Sequence, residues 1–174
     1  MSIAGARKLS FPASPRSWLF VPADSEKKVM KALDSQADAI IFDLEDSVAP
    51  AAKARARELL KGLPARSGGP QWWVRINPLR TDDHRQDLDI IGIADVHGIV
   101  LPKAETGADV VELAHRTGNI PIHAIVTETA ASLFGLLSYR VAPALAAMSW
   151  GAEDLSAALG AASKYDEGGE LSFT

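Results

Sequence analysis

Cysteine is absent from the chain. That excludes disulfides, thiolate metal sites and cysteine nucleophiles, and it suits a cytoplasmic protein, which is the expected location. Long apolar runs are missing too: none approaches the roughly 18 residues of a membrane span, so no membrane association is expected. The opening MSIAGARKLSFPASPRS lacks the apolar stretch of a secretory leader. Residues 1–15 read instead as a flexible arm closed off by Pro12 and Pro15. No basic cluster stands out, and the net charge of −4 gives nucleic acid no support as a partner. No GxGxxG or Walker-type loop follows the first predicted strand, so a dinucleotide or nucleoside triphosphate site has no basis. His84, His97, His115 and His123 are scattered without HxH or HExxH spacing, and each is read as structural.

What remains is 174 residues with 47% hydrophobic and 23% charged side chains, enough for one soluble domain with a sizeable core. Short β-rich apolar runs alternate with amphipathic segments. The predicted strands are Arg16 to Val21, Ala37 to Phe42, Gln71 to Ile76, Gly98 to Leu101, Pro121 to Val126 and Leu145 to Met148. The predicted helices begin at Asp24 or Ser25, at Pro50, near Thr81 and at Ala108, with a further helix-length segment from Ala130 to Val141. In the first helix Val29, Met30 and Leu33 are expected to be buried. In the second, Lys53, Arg55 and Arg57 are expected on a solvated face. Strict β–α alternation indicates a parallel sheet with helical crossovers. About six βα units exceed a small flavodoxin-like sheet and match three-quarters of an eight-fold barrel. The expected fold is therefore α/β, an incomplete TIM (β/α)8-type barrel over residues 16–174. In that fold chemistry sits at the C-terminal strand ends.

The most informative stretch is His123 to Ser156. One apolar run breaks into Thr127-Glu128-Thr129, and the next leads through Ser149-Trp150-Gly151-Ala152 into Glu153-Asp154. An apolar run that ends abruptly in an acid reads as a buried parallel strand with a carboxylate at its C-terminal end. Adjacent strands lie about 4.8 Å apart, so Glu128 and Asp154 are expected side by side. Carboxylates that close repel unless a proton or a cation lies between them. A hard divalent ion, Mg2+ or Mn2+, accepts one or two protein carboxylates and leaves its other positions to water and substrate. Each acid taken alone also reads as a helix N-cap.

Other polar residues converge on the same edge: Arg16 near the start of strand one, Glu45 and Asp46, Arg75 with Asn77, and Lys103. Arg75 interrupts a strand of Trp72, Trp73, Val74 and Ile76, so it must be paired or face a polar ligand. It reads either as an ion-pair partner of Glu45 or Asp46, or as the fork that holds a substrate carboxylate. Lys103 reads as a charge flanking the site or as a Schiff-base nucleophile.

The segments RSWLFVPAD (16–24), ADAIIFDLEDSVAP (37–50), VRINP (74–78), VLPKAE (100–105), VTETA (126–130) and WGAEDLSAALG (150–160) together resemble the citrate lyase beta-subunit-like family, within the HpcH/HpaI-type aldolases. The resemblance implies a TIM barrel and Mg2+-dependent carbon–carbon bond cleavage or formation on citryl-, malyl- or methylmalyl-type thioesters or related 2-oxo acids. It implies Glu128 and Asp154 as metal ligands and Arg75 as the substrate-carboxylate residue. Glu45 and Asp46 would be acids beside the metal, while Arg16 and Lys103 belong to the substrate-binding set. It also implies a homo-oligomer, in several relatives a trimer whose C-terminal lid reaches a neighbour's site. Two departures stand out. Ala23 replaces a glycine that the family follows with an arginine, and the chain stops at Thr174, ahead of further strand–helix units and the lid. An incomplete barrel is expected to be unstable as a lone monomer. The expected function is a retro-aldol or retro-Claisen lyase acting on a small carboxylic acid or acyl-CoA substrate. The alternatives are a pyruvate-type aldolase without coenzyme A, or an inactive barrel that only binds a metal and a small acid.

Overall fold

The computed structural model describes residues 14–64, 68–92, 95–163 and 165–170. The expected arm therefore lies outside the described residues up to position 13. Six strands form one sheet: β1 (Trp18–Pro22), β2 (Ala39–Asp43), β3 (Gln71–Arg75), β4 (Gly98–Leu101), β5 (Ile122–Ile125) and β6 (Leu145–Ser149). All neighbouring pairs are parallel. Spatial order follows chain order, β1-β2-β3-β4-β5-β6. A doubly wound sheet reverses its order at a switch point, and this one does not. The architecture is the open six-strand portion of a (β/α) barrel, with β1 and β6 each paired on one side only among the described residues.

The helices are α1 (Glu26–Leu33), α2 (Lys53–Lys61), α3 (Asp82–Ile91), α4 (Gly107–Thr117), α5 (Ser132–Gly135) and α6 (Ala152–Ala158). Side chains alternate across each strand, which gives the sheet two apolar faces. The larger packs Ile40, Phe42, Trp72, Val74, Ile99 and Leu101 against Val29, Leu60, Ile90, Val110 and Leu113 of the helices. The smaller, on the barrel-interior face, holds Ala39, Ile41, Trp73, Val100 and Ile125 with Trp18 beside them. Both faces of the central strands are covered, which is why β2 reads as an unbroken apolar run. Gly98 makes room for Trp73: a Cβ there would fall 2.2 Å from the indole ring.

Two helical expectations are corrected. Met30 is exposed and Ala32 is buried in its place, because Val29, Ala32 and Leu33 lie at i, i+3 and i+4 on one face and Met30 falls off it. The Ala130–Val141 segment gives only the single turn of α5, followed by a 3-10 turn at Leu136–Val141. The Ser138 hydroxyl donates to the Gly135 carbonyl at 2.5 Å, an i→i−3 bond in keeping with the tighter winding. Phe134 and Leu137 are left 93% and 79% exposed, while Ser132 and Tyr139 of the same segment are buried.

The third correction concerns α2. Arg55 is exposed as expected, but Lys53 and Arg57 are buried. They lie at i, i+3, i+4 and i+7 with Ala56 and Leu60, which is the buried stripe itself. Lys53 Nζ donates to the Leu44 and Glu45 carbonyls (2.7 and 3.0 Å) and to Asn77 Oδ1 (2.7 Å). Arg57 donates to Asp87 (2.8 Å), Gln86 (2.8 Å) and Asp83 (2.6 Å). Asp87 also accepts from the Asn77 backbone and side-chain amides, both at 2.7 Å. This network ties the ends of β2 and β3 to α2 and α3. Removing Asp87 strips buried Arg57 of its one fully buried carboxylate, leaving Asp83 and Gln86, and strands both Asn77 amides without their acceptor. We expect Asp87→Ala to cost about 3–5 kcal/mol, read as a lowered denaturation midpoint. A change below about 1 kcal/mol would show that water reaches Arg57.

Candidate active site at the strand ends

Asp43 closes β2, and the sheet register places it directly beside Arg75 at the end of β3. Arg75 Nε and Nη2 hold the two Asp43 oxygens at 2.7 and 2.6 Å. Arg75 Nη1 lies 3.1 Å from Glu45 Oε2, and its guanidinium sits 5.1 Å from the Phe20 ring centroid. Burial opposes the Asp43 carboxylate, yet the hydrogen bonds and charge of Arg75 win and keep its pKa low. The arginine thus has an ion-pair role, as expected, but its main partner is Asp43 rather than Glu45 or Asp46. The signal was present in the sequence: Asp43 and Arg75 are the last inward residues of consecutive strands.

Lys103 lies just past β4 with a left-handed backbone, φ 51°. A non-glycine residue adopts this conformation only when its surroundings hold it there. Here the Lys103 N–H donates to Glu128 Oε2 at 2.5 Å. Its ammonium contacts Glu45, Asp46 at 3.2 Å and Asp154 at 3.3 Å. Burial disfavours the charged ammonium, but Glu45 and Asp46 raise its pKa. Lys103 is therefore held as a cation, which leaves it unsuited to act as a Schiff-base nucleophile. Glu45 is 3% exposed, and its carboxyl is pushed up by burial despite the two cations beside it.

Glu128 and Asp154 line one cavity of about 500 Å³, together with Asp46, Arg75, Glu153, Trp150 and inward apolar side chains. Glu128 is 6% exposed, and its pKa is raised to about 7, first by burial and then by the charges of Glu45 and Asp154. Neither acid caps a helix: the N-cap of α6 is Gly151 and that of α5 is Ala131. Gly151 is a site residue that the sequence did not single out. A Cβ there would fall 2.2 Å from Glu128 Cγ, so only glycine leaves space for that carboxylate arm. The Gly151 N–H donates to Thr127 Oγ1 at 2.9 Å, which ties the ends of β5 and β6 together.

The structure brings Arg75, Glu45, Asp46, Lys103, Glu128 and Asp154 together, and it does not bring Arg16. Arg16 precedes β1, pairs with Asp38 at 3.3 Å and borders a hollow at the opposite end of the sheet. That corrects its place among the substrate-binding residues. Among the described residues no three His, Asp or Glu side chains form a ready metal cage. Two carboxylates at a cavity with surplus negative charge still suit a hard divalent cation whose remaining positions belong to water and ligand.

A family model for HpcH/HpaI aldolase/citrate lyase matches residues 16–173. The chain belongs to this family. It is 39% identical over 155 residues to a citrate lyase subunit beta-like protein of Mycobacterium tuberculosis, covering 89% of this chain and 54% of that one. It is 36% identical over 153 residues to a (3S)-malyl-CoA thioesterase of Cereibacter sphaeroides, covering 87% and 53%. The crystal structure of CitE from M. tuberculosis in complex with magnesium, acetoacetate and coenzyme A superposes with a TM-score of 0.78 at 38% identity, covering 89% and 55%. The chain spans about half the length of the curated relatives it matches.

A proton on Glu128 that the folded chain holds and the unfolded chain does not is a stabilising proton. In metal-free protein its contribution is complete below pH 4.5 and is lost as pH rises through about 7. We expect the stability–pH curve to fall across that window by up to roughly 3 kcal/mol, and Glu128→Gln to flatten it. An identical slope in the variant would place the titration on another group.

Proposed function

We propose that this chain carries the strand-end chemistry of a Mg2+-dependent carbon–carbon lyase. Its substrate would be a citryl-CoA- or malyl-CoA-like thioester or a related carboxylic acid. The observation that supports this most is the gathering of carboxylates around Glu128, with Glu45 buried and Asp154 partly exposed, beside the cationic fork of Arg75. Glu128 and Asp154 would hold the ion, Mg2+ or Mn2+, and magnesium accompanies the acids bound to the mycobacterial relative. A divalent cation there supplies charge stabilisation for an enolate.

The chain's own groups do the rest. Asp43 occupies the Nε/Nη2 edge of Arg75 and Glu45 lies 3.1 Å from Nη1, so the substrate carboxylate would be oriented by the remaining N–H groups of Nη1 and Nη2, in place of or beside Glu45. Cleavage needs the hydroxyl proton to leave as the hydroxyl-bearing carbon becomes a carbonyl and its bond to the carbon next to the thioester breaks. The bonding pair moves to the carbon next to the thioester, which is then protonated. Asp46, exposed at the cavity rim beside Lys103, would exchange that proton, and buried Glu45 contacts both Lys103 and Arg75 and would hold them in position. The same residues would serve a 2-oxo acid aldolase that does not use coenzyme A. Release of acetyl-CoA from a thioester, as against pyruvate from a free acid, separates the two.

Arg75→Lys is expected to keep the fold and lower turnover of malyl-CoA with Mg2+ by at least about 100-fold, because an ammonium cannot replace the planar fork. Unchanged kcat/KM would leave Arg75 as the ion-pair partner of Asp43 only. A homo-oligomer is proposed to cover Phe134 and Leu137, whose exposure exceeds what a solvated surface turn needs. Sedimentation velocity should show an assembly larger than the 18.5 kDa chain, and a clean monomer would remove this part of the proposal.

A further inference from the structure

His123 lies in the middle of β5 with its imidazole on the barrel-interior face. It is 7% exposed, yet neither ring nitrogen has a hydrogen-bond partner among the described residues. A buried polar group without a partner is costly and rare, and it asks for an explanation. The ring is framed by aromatic edges, with Trp18 at 4.8 Å and Trp73 at 6.4 Å between centroids. Neither indole offers it a hydrogen bond: Trp73 Nε1 donates to Gln71 at 3.1 Å. Burial alone depresses its pKa to about 4, and no charged group contributes to the shift. The imidazole is therefore neutral near pH 7, with one N–H donor and one acceptor nitrogen.

Its position relative to the strand-end site follows from the register. Arg75 pairs with Val100, and Val100 pairs with His123. Residues paired across a sheet share a face, so Arg75 and His123 look into the same cavity from one row, two strands apart, or roughly 10 Å between backbones. Both line that cavity, along with Val100, Ile125, Trp18 and Phe20. A molecule whose carboxylate meets Arg75 and whose chain runs along Val100 reaches His123 at its far end, over an otherwise apolar floor.

We propose that His123 is a specificity-determining residue of this cavity, selecting carboxylic acids that carry a neutral hydroxyl or carbonyl group several bonds from the carboxylate. The proposal rests on the lyase reading above and narrows its substrate class. A neutral imidazole can accept from a hydroxyl or donate to a carbonyl oxygen. It gives no advantage to a second carboxylate, whose charge would be buried among Trp18, Trp73 and Ile41 without a cation beside the ring. Ligands lacking the oxygen leave the imidazole unpaired and are disfavoured for that reason.

The test uses the intact chain with Mg2+ and follows tryptophan fluorescence, since Trp18 and Trp73 flank the imidazole. The probes are straight-chain carboxylic acids of about three to seven carbons, each compared with its ω-hydroxy counterpart. At one chain length the hydroxy acid should bind at least about tenfold tighter than its unsubstituted partner. His123→Leu should erase that preference without weakening the unsubstituted acid. His123→Gln, which restores a donor and an acceptor, should recover part of it. Thermal melting controls for folding, and His123→Leu should melt no lower than the parent because it removes an unpaired polar group. If acids bind but hydroxy and unsubstituted forms never differ, or if the preference survives in His123→Leu, the proposal fails and the lyase reading stands. If no acid binds the parent chain with Mg2+, both fail together.

Discussion

Crowding of like charge at one edge of an apolar sheet is the constraint on which this structure turns. Glu45, Glu128 and Asp154 approach one another closely enough for the other two to raise the pKa of Glu128. A fold built only for stability would avoid such an arrangement, because desolvating several carboxylates together costs more than their contacts return. Lys103 relieves the crowding in metal-free protein. It reaches Glu45, Asp46 and Asp154 with its ammonium and Glu128 with its backbone N–H. A monovalent ammonium cannot neutralise four acids, and the deficit is what a divalent cation would meet. The left-handed backbone at Lys103 belongs to the same economy, since local strain is tolerated where it places a cation among carboxylates.

The network beneath the site explains why these groups stay in place. Lys53 and Asn77 clasp the Leu44–Glu45 turn from the helical side, and Asp87 and Arg57 lock Asn77 from below. Asp43 and Arg75 lock the same two strand ends from the interior side. The ends of β2 and β3 are thus gripped on both faces by charge-assisted bonds, which are the strong and directional kind. Rigid strand ends are what a site needs if its cationic fork is to meet a carboxylate without reorganisation.

Much of this was legible in the residues. The β–α alternation gave six parallel strands close to their expected positions. The acids breaking out of apolar runs pointed to Glu128 and Asp154, and Arg75 drew notice as a charge in a tryptophan-rich strand. What escaped depended on which face a residue takes. Lys53 and Arg57 looked like ordinary surface charges because their type outweighed their spacing, although their i, i+3, i+4 relation to Ala56 and Leu60 put them on the buried stripe. Asp87 follows the same logic on α3, in line with His84, Ile90 and Ile91. Asp43 was passed over because Glu45 and Asp46 stand beside it, yet only Asp43 is paired in register with Arg75. His123 has no motif around it. Its meaning comes from being the polar member of an inward row, which no spacing rule reveals without the pairing of β3, β4 and β5. Arg16 failed for a simpler reason: it precedes its strand, and in a parallel sheet that places it at the far end.

The cavity draws its walls from both edges of the sheet. Trp18 and Phe20 come from β1, while Ser149 and Trp150 come from β6 and the turn after it. Between them the central strands are fixed to one another by continuous backbone pairing, but β1 and β6 meet no further strand among the described residues. An unpaired parallel edge is an unusual thing to leave bare, since its N–H and C=O groups and its apolar side chains invite another chain. Phe20, Met148 and Trp150 are each about half exposed, and they lie at these edges. The width of the cavity is therefore tied to whatever covers the edges. Arg75 is held by Asp43 and Glu45, and Glu128 and Asp154 are held by Lys103, so the charged end of the cavity is fixed by groups within it. The apolar walls opposite them are not, and their spacing decides how large a group the cavity can enclose. The placement of the charged groups and the spacing of the apolar walls thus rest on different parts of this fold, the first on the gripped strand ends and the second on the two edges that meet no further strand among the described residues.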